Sequence, residues 1–220
     1  MSAPRPTDAT SAATTLTKAT VSTMAPSLGL TTSQTVGPFY SPALLRDARN
    51  VVPGTETSPA RVRIEGRVID GAGDPVADAL VEIWQANEHG RYNHPLDRRD
   101  LPLDPAFTGF GRAGADDDGA YWFETVKPGA VPYDGDRFQA PHLSVTVFAR
   151  GLLNHVATRL YFPDEPANDA DPILALVPPH RRATLIARRA ESDGNESSGP
   201  AVYLFDVVLQ GRDETVFFNV

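Results

Sequence analysis

Residues Arg61 to Ile69, RVRIEGRVI, alternate apolar and polar positions, a period of two that predicts a half-buried strand. A turn, DGAGDP, follows, and ALVEIWQ repeats the pattern. AYWFETV, HLSVTVFAR, HVATRLYF, ATLIARR, VYLFDVVLQ and ETVFFNV read the same way, each bounded by Gly, Pro, Asp or Asn. Eight short strands with little helix between them predict an all-β sandwich, because two amphipathic sheets bury their apolar faces against each other. Helix is expected only as a turn near Pro42 to Arg49 and within PILALVPPHRRATL, where prolines limit it.

The flanking and linking segments differ in character. Residues 1–30 are rich in Ser, Thr, Ala and Pro and predict a disordered tail; residues 31–60 form an N-terminal arm, and 61–220 the sandwich domain. In the arm, TTSQTVGPFYSPALL, Gly37-Pro38 punctuates an extended backbone, and two readings stand: Phe39 and Tyr40 anchor the arm on the body, or Gly37 allows close approach to a ligand. The stretch from Asn87 to Asp118 is charged, glycine-rich and read as irregular throughout, and long loops of this kind usually carry function or are disordered. Its closing run, Asp116 to Asp118 before Gly119, reads as a solvated turn.

Composition narrows the possibilities. The chain has 220 residues, 41% of them hydrophobic, enough for one substantial core. A net charge of -8 argues against a phosphate-tracking surface, so nucleic acid is not expected as a partner. With no cysteine, disulfides, thiolate metal sites and cysteine nucleophiles are excluded, which is compatible with a cytoplasmic protein. No run of eighteen apolar residues predicts a membrane span. A P-loop, a dinucleotide fingerprint, a nucleophile elbow and a zinc-protease helix are all missing.

Histidine, tyrosine and carboxylate remain for chemistry. In HLSVTVFAR, strand alternation sets His142, Ser144 and Thr146 on one face and Leu143, Val145 and Val147 on the other. A second histidine at 144 would set two imidazoles side by side for a metal, but Ser144 stands there. The five histidines, at 89, 94, 142, 155 and 180, show no strand or helix pair spacing, and His155 and His180 read as structural or surface residues. Tyr92 and His142 could meet, yet two ligands make a weak site. Arg150 closes the strand before Gly151, where its planar fork suits either a carboxylate ligand or a surface ion pair.

Taken together, TVGPFY, EGRVIDGAGDPVADALVEIWQANEHGRY, LDPAFTGFGR, the VKPG turn, APHLSVTVFARG and RLYFPDE resemble the intradiol ring-cleavage dioxygenases over roughly residues 30–220. The resemblance implies a β-sandwich and a chemistry in which a ferric ion, held by two tyrosines and two histidines, binds a catechol for attack by O2. Phenolate donors suit a hard ferric ion. By position, the family's first tyrosine falls on Tyr92 and its first histidine on His142, while the second tyrosine falls on Val131 and the second histidine on Ser144. An arginine before the first histidine falls on Gln139, and Tyr133 lies two residues past the second tyrosine position, too far along to replace it.

These departures imply a chain that binds no metal of its own and pairs with a homologous chain carrying Fe(III). The resemblance further implies that Thr35, Gly37 and Pro38 line the partner's substrate pocket, with Phe39 where a tyrosine is often found, and that Arg150 meets the carboxylate of protocatechuate. Two rivals stand beside this reading: an autonomous intradiol enzyme with altered ligands, and a transthyretin-like sandwich that binds without chemistry.

Overall fold

A computed structural model of the chain describes residues 35–37, 39–52, 54, 60–191 and 199–219. The expected tail, residues 1–30, lies outside them, as does Pro38. Two sheets pack face to face. One is built on β1 (Arg61–Ile69), which pairs antiparallel with β4 (Ala120–Val126) and parallel with both β10 (Ala201–Leu204) and β11 (Val207–Val208); β9 (Arg188–Arg189) extends it beyond β10. The other runs in the order β3 (Phe110–Gly114), β2 (Leu80–Trp84), β7 (His142–Phe148), β8 (Val156–Tyr161), antiparallel throughout. A separate hairpin joins β5 (Val131–Asp134) to β6 (Arg137–Gln139).

The alternation read from the sequence is what fills the space between the sheets. Val62, Ile64, Val68, Tyr121 and Phe123 point in from one side; Val81, Ile83, Leu143, Val145, Val147 and Leu160 meet them from the other. The opposite positions of β1 and β4 face water and carry an ion-pair ladder, with Arg61 at 2.6 Å and Arg63 at 3.1 Å from Glu124. The all-β sandwich is therefore the fold.

Gly66 occupies an inward position of β1 without a side chain. A Cβ there would lie 1.8 Å from the Phe205 carbonyl oxygen, which the Tyr121 hydroxyl also reaches, donating a hydrogen bond of 2.7 Å. The close approach lets the backbone jog at Phe205 and Asp206, where Phe205 N–H donates to the Glu65 carbonyl at 2.7 Å and Arg67 N–H to the Asp206 carboxylate at 2.9 Å. This jog divides VYLFDVVLQ into β10 and β11.

Several expected elements differ, each for a physical reason. ETVFFNV forms no strand: it crosses from one sheet to the other, Thr215 N–H donating to Val208 and Phe218 N–H to Ala157, so no single neighbour pairs along its length. ATLIARR begins as the end of a 3-10 helix, Pro179–Leu185, because Pro178 and Pro179 preset the backbone for a helical start; Ile186 then bridges Tyr161, and the strand itself is only Arg188–Arg189. The stretch from Asn87 to Asp118 is not irregular throughout, since it contains β3, hidden by the glycines in FGRAG. Gly111 is required there, for a Cβ would meet Ile83 at 2.9 Å and Phe123 at 3.0 Å. The hairpin of β5 and β6 turns at Gly135, with φ of 56°. Helix begins earlier than expected, as α1 (Tyr40–Leu44) followed by a 3-10 turn, Leu45–Asp47. Asp116 to Asp118 form the expected turn, Asp116 accepting from Asp118 N–H at 3.0 Å and Ala120 N–H at 2.8 Å.

Gly66→Ala should destabilise the chain by about 2–3 kcal/mol through overpacking against backbone that cannot yield. At roughly 2–4 °C per kcal/mol for a chain of this size, a lowering of Tm by several degrees in thermal unfolding is the expected reading. An unchanged Tm would show that the jog at Phe205 adapts.

Candidate functional site

Tyr92 is held by a loop folded around Asn87. The Asn87 side-chain oxygen accepts from His89 N–H at 3.0 Å and Arg91 N–H at 2.9 Å, and its amide donates to the Pro102 carbonyl at 2.8 Å. The loop lies backbone to backbone against the VKPG turn: a Cβ on Gly90 would stand 2.1 Å from the Ala130 oxygen, and one on Gly129 would stand 2.5 Å from Gly90 N. This packing sets Tyr92 and Val131 beside one another. Tyr92 N–H donates to Asp97 at 2.8 Å, and Arg99 clamps Asp97 with bonds of 2.8 and 2.5 Å while reaching the Gly90 carbonyl at 2.6 Å. Hydrogen bonding to Arg99 holds the Asp97 carboxyl well below the usual carboxylate range. The Tyr92 ring stacks on Trp84 with centroids 5.8 Å apart. A cavity of about 890 Å³ opens here, lined by Trp84, Tyr92, Leu96, Arg98, Val131 and Gln139 among others.

His142 opens β7, its ring tilted against that of Tyr161 with centroids 5.6 Å apart. Asp171, buried to 1% exposure, accepts from the Ala140 N–H at 2.7 Å, and the Ala140 carbonyl in turn accepts from His142 Nδ1 at 2.8 Å. Donation from Nδ1 leaves the Nε2 lone pair free. Burial first, and then the Arg159 guanidinium, lower the His142 pKa to about 4, so the ring is neutral at pH 7. Burial likewise raises the Tyr92 hydroxyl above its ordinary 10.0, against the pull of Arg159 and Arg99, so it is a phenol and not a phenolate.

Register brings the remaining positions together. Ser144 lies between Trp84 on β2 and Arg159 on β8, and Val131 lies across from Gln139. Arg159 donates to the Gln139 side-chain oxygen at 2.7 Å and to the Tyr161 hydroxyl at 3.3 Å. Tyr92, His142, Val131, Ser144 and Gln139 thus surround one pole of the sandwich. His89 lies elsewhere, 3.6 Å from Glu88; His94 lines the cavity and accepts from Leu96 N–H at 3.2 Å; His155 and His180 are exposed.

Arg150 is at the opposite pole. It follows the far end of β7, roughly 25 Å from His142 at about 3.3 Å per extended residue. Its side chain is 70% exposed and pairs through Nε with Asp78 at 3.2 Å beside a cleft of about 460 Å³. The root of the arm docks here, because the buried Tyr40 hydroxyl donates to the Asp78 carbonyl and lies 3.4 Å from that of Phe148. Burial foremost, with Asp78 adding to it, pushes the Tyr40 pKa up to about 12. Thr35 and Phe39 are exposed, and Gly37, at φ of 74°, has nothing within 4 Å of where a Cβ would stand. The two sets of candidate residues are therefore separate: Arg150 joins the arm, not the ligand-like positions.

A family model described as Dioxygenase matches residues 36–211. The chain belongs to the intradiol dioxygenase family. It is 45% identical over 202 residues to the protocatechuate 3,4-dioxygenase alpha chain of Burkholderia cepacia, covering 86% of this chain and 97% of that one. The beta chain from the same organism is 40% identical over 169 residues, covering 76% and 72%. Among solved structures, the dioxygenase domain of a carbohydrate-binding fusion from Streptomyces sp. SirexAA-E matches at a TM-score of 0.55 and 25% identity, over 82% of this chain and 97% of that one.

Intradiol dioxygenases are iron-dependent, and this chain's residues do not fit a ferric ion. Of the four positions that the resemblance assigns to ligands, one holds a neutral phenol, one a neutral imidazole, and two hold Val131 and Ser144, with the Arg159 guanidinium bonded to Gln139 beside them. Among the described residues no three His, Asp or Glu side chains converge to hold a metal. Arg159, Trp84 and the Asp97–Arg99 clamp were not singled out from the sequence. Alternation in HVATRLYF places Arg159 on the face of Ala157 and Tyr161, and an arginine amid so apolar a strand is the signal that could have found it.

The chain purified alone and exposed to ferric salt should retain no stoichiometric iron and show no tyrosinate-to-iron absorption band; one ion per chain would refute the geometric reading. His142 adds a pH dependence. Its folded pKa of about 4 lies below the ordinary 6.5, so the unfolded chain takes up the proton first and stability falls as pH drops from 6.5 toward 4. The loss is on the order of 3 kcal/mol at ~1.4 kcal/mol per unit. His142→Gln should flatten that part of a urea-midpoint profile; an unchanged slope would assign it to other groups.

Proposed function

We propose that this chain is the iron-free, alpha-type partner in a two-chain protocatechuate 3,4-dioxygenase, shaping the pocket in which protocatechuate and O2 become 3-carboxy-cis,cis-muconate. One observation carries the reading: the proposed carboxylate anchor, Arg150, and the ligand-like pair, Tyr92 and His142, stand at opposite ends of β7. A small aromatic acid cannot span roughly 25 Å. A substrate held by Arg150 and the arm must therefore meet iron carried by another chain, and a beta-type homologue is the natural donor. The near-complete span of the alpha-chain relative supports the same assignment. We place the complex in the cytoplasm, in keeping with a chain free of cysteine.

In this arrangement Thr35, Gly37 and Pro38 line the partner's pocket. Gly37 suits that role because its left-handed backbone carries no side chain to obstruct a ligand. Arg150 recognises the substrate carboxylate, the charge that distinguishes protocatechuate from catechol. Its exposure and single ion pair leave the flat guanidinium available for a two-point bond to an incoming carboxylate.

Co-expression with a beta-type chain should yield a complex that consumes O2 with protocatechuate, whereas this chain alone should not. In the iron-loaded complex, Arg150→Ala removes a charge-assisted hydrogen bond of about 1.5–3 kcal/mol. Apparent affinity for protocatechuate should drop about tenfold to a hundredfold. Catechol turnover should be nearly unchanged. Equal losses for both substrates would make Arg150 a structural residue.

A further inference from the structure

The pole that does not fit iron still holds a positive charge. We infer that Arg159 is the resident cation of this chain's remnant centre, standing among the ligand positions where iron-bearing relatives hold their metal, and that it bars a ferric ion independently of the two missing donors. The inference rests on family membership and not on pairing with a partner chain, so its failure would leave the oxygen-uptake test above untouched.

Placement is the first argument. Arg159 lies directly across from Ser144, one lost position, and its guanidinium bonds at 2.7 Å to Gln139, which lies across from Val131, the other. It is also the strongest charged influence on both Tyr92 and His142, the two positions that retain ligand-type side chains. One guanidinium therefore bears on all four positions.

Its chemical environment is the second. Arg159 is half-buried, and no carboxylate lies within ion-pair distance of it among the described residues. The nearest acid along the hydrogen-bond chain is Asp171, one hydroxyl away: Tyr161 donates to Asp171 at 3.2 Å and accepts from Arg159 at 3.3 Å. Asp171 is already engaged by the N–H groups of Ala140, Ile173 and Leu174 at 2.7 to 2.8 Å. The guanidinium charge is thus solvated by neutral oxygens and not cancelled. A trivalent ion brought among Tyr92, His142 and residue 144 would meet this charge at close range in a poorly solvated site, where like charges repel most strongly.

Arg159 also has a positioning role. Its bond to Gln139 ties β6 to β8, and Gln139 further donates to the Pro132 carbonyl at 3.2 Å, closing the hairpin that carries Val131. A fixed organic cation thereby keeps the hairpin seated against the sheet in a chain that has no metal to do so.

The test restores the donors with and without the cation in the full chain. Val131→Tyr with Ser144→His supplies the missing pair; the same double variant is then combined with Arg159→Met or Arg159→Lys. Each protein is loaded with ferric salt, washed with chelator, and read by iron content and by the tyrosinate-to-iron band, with circular dichroism as the check on folding. The double variant and its Arg159→Lys derivative should stay essentially iron-free. Removing the charge with Arg159→Met should raise ferric affinity at least about tenfold, as expected when a like charge leaves an ion's site. Stoichiometric iron in the double variant, or equal iron in the Arg159→Lys and Arg159→Met derivatives, overturns the inference. So does a folded Arg159→Met derivative that takes up no more iron than the double variant. Should the Arg159→Met derivative not fold, the double variant decides alone: folded and iron-free supports the barrier, iron-loaded refutes it.

Discussion

The side-chain amide of Gln85, fully buried between the two sheets, is the interaction on which the rest of the molecule depends. It accepts from the Thr125 hydroxyl at 2.7 Å and donates to the Val126 carbonyl at 2.9 Å, joining the end of β2 to the end of β4 across the core. Its backbone N–H donates to Gly109 at 2.9 Å, and Gly109 must be glycine, for a Cβ would lie 2.5 Å from the Gln85 oxygen. The excursion that carries Tyr92 therefore leaves and returns at one clamped point. A buried amide left unpaired costs about 1–3 kcal/mol per group, so the sandwich can tolerate Gln85 only while both sheets hold their register.

From that clamp the two poles of β7 acquire different characters. At one, loops packed backbone to backbone gather a phenol, an imidazole and a guanidinium, all embedded in hydrogen bonds that end at buried Asp171 and at the Asp97–Arg99 pair. The donors are neutral because burial disfavours the charged form of each, and the Arg159 guanidinium, bonded to neutral oxygens of Gln139 and Tyr161, is of the wrong sign to attract a cation. At the other pole the arm docks through Tyr40, and an arginine is held at the surface by a single carboxylate. A membership that would ordinarily imply one self-contained centre is thus divided along a strand.

This division gives the two ends of one strand different chemistry on an unchanged core. The sandwich core is indifferent to what lies on the outer face of β7 and β8, since Leu143, Val145, Val147 and Leu160 point inward whatever occupies 142, 144 and 159. The polar network that replaces the metal still satisfies the groups it buries, which is the condition for such a site to persist.

Much was legible in the sequence because it is local. Alternation over seven to nine residues specified β1, β4 and β7 and their inward faces, while the resemblance to a known family, and not alternation, set Val131 and Ser144 at ligand-like positions. The fold class follows from that alternation alone. What the sequence could not show was non-local or masked by glycine: β3, the break between β10 and β11, and the crossing of ETVFFNV from sheet to sheet depend on which strand lies alongside. Arg159 belongs to the same class, since its bond to Gln139 spans twenty residues and arises from cross-strand register. The distance of Arg150 from His142 was already implicit in the length of the strand HLSVTVFAR, but only the tertiary structure set Tyr92 at the His142 end, because loop packing, and not the identity of its residues, decides which end of the sandwich it reaches.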